Sequence, residues 1–117
     1  MNISATRGDS ERFLLTLTED EEPLDLTGAE VWMTAKRHLR DTDAEAVFQK
    51  SVGDGITITD DEGGLAQVDL VPGDTSGLPT RVMRLHYDVQ VKTQGGRVLT
   101  PISGTLTVSP DVTLAIA

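Results

Sequence analysis

The side chains able to do chemistry are few, and their spacing argues against catalysis. His38 and His86 are the only two histidines. The serines and aspartates lie in turn-like segments, without the nucleophile-elbow spacing that presents a serine to its base. Gly8-Asp9-Ser10 shares letters with one esterase signature, but Glu11 stands where that signature needs leucine. Arg7-Gly8-Asp9 spells an integrin-recognition tripeptide, but three residues are too few to carry specificity and read as an ordinary polar turn. Asp54, Asp60, Asp61 and Glu62 offer the carboxylate oxygens that Ca²⁺ takes, yet the EF-hand loop pattern is missing. Acidic residues beside glycine are the ordinary composition of a solvated hairpin turn. No Gly-rich phosphate loop, Walker lysine or paired catalytic carboxylates occur. The expectation is a protein that is not an enzyme, with no catalytic, cofactor-binding or metal-ligating residues.

What remains is contact surface. Aromatic content is 3%, poor for a sugar platform or a single-stranded nucleic-acid groove, and Trp32 is the one tryptophan. A formal net charge of −9 repels nucleic acid and anionic membrane, so neither is expected as a partner. The charge is uneven: residues 41 to 74 hold nine acidic and one basic side chain, residues 75 to 117 two acidic and four basic. Opposite-sign patches on one surface suit head-to-tail contact between copies, so a homo-oligomer is expected. The candidate interface is Trp32, Lys36, Arg84, His86 and Lys92 on outward strand positions, with Val112, Leu114 and Ile116 on a C-terminal tail.

The elements that must position these residues are strands. Leu85, Tyr87, Val89 and Val91 alternate with His86, Asp88, Gln90 and Lys92, the period-2 pattern of a strand with one buried and one wet face. Gln94-Gly95-Gly96 supplies a tight turn, and a return strand follows with Val98, Ile102, Leu106 and Val108 on one parity. Pro101 and Gly104 interrupt that strand and predict a bend. Earlier strands are read at Asn2 to Thr6 (an edge), at Phe13, Leu15 and Leu17, and at Val31, Met33 and Ala35. Further ones span Ala46 to Val52 and Ile56 to Thr59, and another carries Ala66, Val68 and Leu70. Pro72 to Leu78 is a connector with room for one helical turn. Trp32 takes the parity opposite Val31 and Met33, at a core edge or an exposed contact.

Short strands, frequent turn signals and no convincing helix predict an all-β chain: an antiparallel immunoglobulin-like β-sandwich of about 7–8 short strands. Residues 1–117 read as one domain, with 111–117 a tail suited to pairing with a neighbour's sheet edge after Pro110 ends the last strand. Tyr87-Asp88-Val89 resembles a tyrosine corner. Cysteine is absent, so no disulfide or thiolate metal site supports the fold. The longest apolar run, Leu114 to Ala117, is far short of the roughly 20 residues that span a bilayer. Charges at Arg7, Asp9 and Glu11 stand where a signal peptide needs apolar residues, so synthesis in the cytoplasm is expected.

The order of motifs adds a resemblance. Leu24-Asp25-Leu26-Thr27-Gly28-Ala29 is followed by Gly55-Ile56-Thr57-Ile58, then by Tyr87-Asp88-Val89 and Gly104-Thr105-Leu106. This order resembles the small β-sandwich domain of tailed-phage virion proteins, in particular the N-terminal domain of the baseplate upper protein and its relatives in tail fibres and head fibres. The resemblance implies a non-enzymatic structural component of a virion, an adaptor or attachment domain of tail, baseplate or spike base, whose partners are other virion proteins. A carbohydrate-binding immunoglobulin-like module is the alternative, and it needs an exposed aromatic platform.

Overall fold

The computed structural model describes residues 1–112. The chain is all-β, as its alternation predicts. In order it forms β1 (Ile3–Thr6), β2 (Glu11–Thr16), β3 (Thr18–Glu19), β4 (Glu22–Pro23), β5 (Glu30–Lys36), β6 (Phe48–Val52), β7 (Gly55–Asp60), β8 (Leu65–Leu70), β9 (Met83–Lys92) and β10 (Val98–Ser109). A 3₁₀ turn at Asp43–Glu45 and a one-turn helix α1 at Pro72–Thr75 are the helical pieces among the described residues. Eight strands make one sheet in the order β1-β10-β9-β5-β6-β7-β8-β2, while β3 and β4 form a small hairpin of their own.

The first two strands occupy opposite edges of that sheet. Laid flat, eight strands spaced about 4.8 Å apart would separate those edges by roughly 34 Å. Only Arg7 to Ser10 join β1 to β2, and that link extends to at most about 17 Å. The sheet must therefore curl until its edges approach, almost closing on itself. One continuous cluster results: Leu15, Val31, Met33, Ile56, Val68, Leu85, Val89, Val91, Leu106 and Val108 all turn inward, and Leu17, Leu24 and Leu26 are buried with them.

The expectation of a purely antiparallel sheet is corrected at two places. β1 runs parallel to β10, with Ile3 opposite Leu106 and Thr6 opposite Ser109, because the chain leaves that edge by crossing to the other rather than by a hairpin. β6 and β7 also touch in parallel, through Ser51–Gly55 and Val52–Ile56. There the backbone loops over itself through Gly53 and Gly55 at φ of 85° and 97°, left-handed values open to glycine.

The bend predicted in the return strand is present, and it overturns the parity of Val98. Leu99 pairs with Val91 while Ile102 pairs with Val89, so β10 carries one extra residue between them. A bulge reverses which side chains face inward. Leu99 thus packs against the core, and Val98 is 57% exposed.

Tyr87 faces the core at 4% exposure, but its hydroxyl donates to the carbonyl of Met1 at 2.7 Å. A tyrosine corner bonds backbone a few residues upstream, so this resemblance is replaced by a lock between β9 and the N-terminus. Gly104 makes the lock possible, since a Cβ there would collide with the Met1 backbone.

Candidate functional site

The central strands β6, β5, β9 and β10 turn their second parity outward, and register sets those side chains in rows. Gln49, Thr34, Asp88 and Ser103 stand opposite one another across the four strands. Lys36 stands opposite His86, and Trp32 is flanked by Ser51 and Gln90. The Trp32 row stops at the β10 bulge, where Gln90 has no registered partner. Along β5 the rows are about 7 Å apart, two residues of a strand. Together they floor an open groove of about 690 Å³, with Leu39 and Asp43 on its wall.

Its electrostatics are local. Lys36 Nζ lies 2.9 Å from Asp43 Oδ1. That hydrogen bond, helped by Gln49, holds the Asp43 carboxyl below the usual carboxylate range. Gln49 also donates to Thr34 Oγ1 at 2.9 Å. Asp88 is different: burial pushes its carboxyl above the ordinary value, opposed by Lys36 and reinforced by Asp43. Its half-buried side chain has no hydrogen bond to protein among those found in the described residues.

The candidate residues separate. Trp32, Lys36 and His86 come together in this groove. Arg84 is exposed one outward position beyond His86, opposite Thr107, and Lys92 lies at the other end of β9 opposite Glu30. Arg97, of the same sign, donates from Nη2 to both carboxylate oxygens of Glu19, at 2.7 and 2.8 Å. Val112 is 98% exposed, whereas Leu114 and Ile116 lie outside the described residues. Asp111, assigned by sequence to the tail, is held in the domain: Arg7 Nη1 donates to it at 2.9 Å with side-chain exposures of 16% and 9%. The same guanidinium donates to the carbonyls of Leu78 and Ser76, so Arg7 of the Arg-Gly-Asp spelling is a structural clamp.

Sequence reasoning missed Asp88, Gln90, Gln49, Asp43 and Leu39 as site residues. Strand parity already put Asp88 and Gln90 on the wet face. The missing signal was that β5 and β9 are neighbours, which alternation alone does not encode. Ser103, His86 and Asp88 share the groove lining. A nucleophile relay needs hydrogen-bond contact between its members, and none of the bonds found among the described residues joins these three. Nor do any three His, Asp or Glu side chains among the described residues cluster as metal ligands. The turn carboxylates of Asp60 and Asp61 accept instead from Gly63 and Glu62 backbone N–H groups at 3.0 and 3.1 Å.

No family model matches the chain, and no curated protein matches it. Among solved structures it is similar to AggA, the major subunit of aggregative adherence fimbriae type I from Escherichia coli, at 13% identity and a TM-score of 0.29, with 92% of this chain and 88% of that chain covered.

Proposed function

We propose that this chain is a non-catalytic attachment domain of a tailed-phage or phage-like virion, joining one virion part to another or to a target surface and working in several copies. The observation that carries the attachment reading is the groove. It lies on the paired central strands β5 and β9 and presents an aromatic, two carboxylates and a lysine without a nucleophile held to a base. Contact residues placed on a rigid sheet are held more firmly than residues on loops. The virion reading is supported by the order of motifs along the chain, from Leu24-Asp25-Leu26-Thr27-Gly28-Ala29 to Gly104-Thr105-Leu106.

Disrupting the coding sequence in a particle-producing strain tests it. The expected result is particles that lack an appendage or adsorb poorly, restored by the intact gene. Particles unchanged in morphology, yield and adsorption would overturn the proposal.

A further inference from the structure

We infer that the outer-face groove of β6, β5, β9 and β10 is a saccharide site, with Trp32 as the stacking wall and Asp88, Gln90, His86 and Lys36 as hydroxyl partners. This rests on the attachment reading and names what that attachment would grip. A pyranose ring has an apolar face of C–H groups and a rim of hydroxyls that both donate and accept. It therefore fits a polar trough with one aromatic side better than a lipid or an apolar peptide does. Trp32 meets the first requirement, an indole half-buried in the sheet with one side on the groove.

The second requirement is met by register rather than by sequence distance. Asp88 and Gln90 lie on β9 beside Thr34 and Trp32 of β5, so planar acceptors and donors border the indole. His86 and Lys36 continue the line on the next row. From Trp32 to Lys36 the rows cover about 14 Å along β5, room for a short oligosaccharide rather than one ring. Asp88 adds an available acceptor to the groove: a half-buried carboxylate with no hydrogen bond to protein among the described residues. Its oxygens stay open to the groove, where a hydroxyl donor can take the place of water.

The lone tryptophan makes the test direct. Lactose, maltose and chitobiose are titrated into the full chain while Trp32 emission and saturation transfer to the sugar are recorded. The expected result is transfer to at least one disaccharide with a concentration-dependent shift of emission. Trp32→Ala and Gln90→Ala should each weaken it roughly tenfold or more, as loss of a stacked ring or a good hydrogen bond does. Gln90 is exposed, so its variant keeps the fold and the thermal midpoint confirms that. Transfer from none of the three at millimolar sugar, or transfer undiminished in both variants, would overturn the inference. Loss of sugar binding leaves membership of the particle untouched, so the two proposals fail separately.

Discussion

Tyr87 shows how one side chain can serve two ends of the chain. Its ring lies in the core while its hydroxyl holds Met1. Tyr87→Ala is expected to cost about 3 to 5 kcal/mol, the range of large aromatic truncations, whereas Tyr87→Phe should cost only about 0.5 to 1.5 kcal/mol for the lost hydrogen bond. Urea unfolding of both variants checks this, and equal losses would show that the ring carries no more than the hydroxyl. Asp88 gives the opposite expectation. Its folded carboxyl is raised by burial, so the charged form weakens the fold at pH above that raised value. Below the ordinary Asp value both states are protonated and the penalty disappears. Asp88→Asn should therefore raise the thermal midpoint at neutral pH and lose that advantage as pH falls toward 3, with Lys36 tempering the penalty and Asp43 adding to it. A lower midpoint at neutral pH would show that Asp88 holds a stabilising contact. Tyr87's inward direction was legible from alternation, because a strand has only two faces. Its partner Met1 was not, since nothing local to β9 encodes where the N-terminus lies.

Elements were read well where their signals are local and poorly where pairing decides. The inward parities of β2, β5, β8 and β9 follow from alternation, and the α1 turn from Pro72 and the Asp74 carboxylate that accepts from Val71 N–H at 2.8 Å. The bulge in β10 was signalled by Pro101, yet its effect on Val98 depends on which residue of β9 stands opposite. Lys50 was not singled out from the sequence at all. It takes a core-facing place on β6 and reaches Asp74 at 2.8 Å, with side-chain exposures of 11% and 14%. A lysine in a strand reads as outward until the helix above it is placed. Removing one member of so enclosed a pair leaves the other charge uncompensated, so Asp74→Ala is expected to cost about 3 kcal/mol. A midpoint within error of wild type in urea would mean that water reaches Lys50 freely. At the other clamp, Asp111→Ala should cost about 1.5 to 3 kcal/mol, the worth of a charged hydrogen bond. Deleting residues 112–117, which spares that clamp, should leave the midpoint alone and weaken self-association.

At the scale of the molecule, the β class was legible because short alternating runs with frequent turns leave little else to build. The near closure was not, since it follows from two strands joined by four residues yet placed on opposite edges. Charge behaves similarly. The acidic excess is partly spent inside the chain, on Lys36, Lys50, Arg12 and the N–H groups of turns, while Arg81, Arg84 and Lys92 have no ion pair among the described residues. Exposed pairs between copies contribute about 0 to 1 kcal/mol each and are screened by salt. Sedimentation across a salt series should show oligomers that loosen as salt rises, and a monomer at every salt and concentration would remove self-assembly.

Membership of a particle is tested by quantitative mass spectrometry of density-gradient-purified virions from a strain carrying this gene. Peptides of this chain are expected at several copies per particle, in fixed ratio to other structural proteins through every gradient fraction. Particles free of the chain while it accumulates in the soluble fraction of the same cells would contradict it.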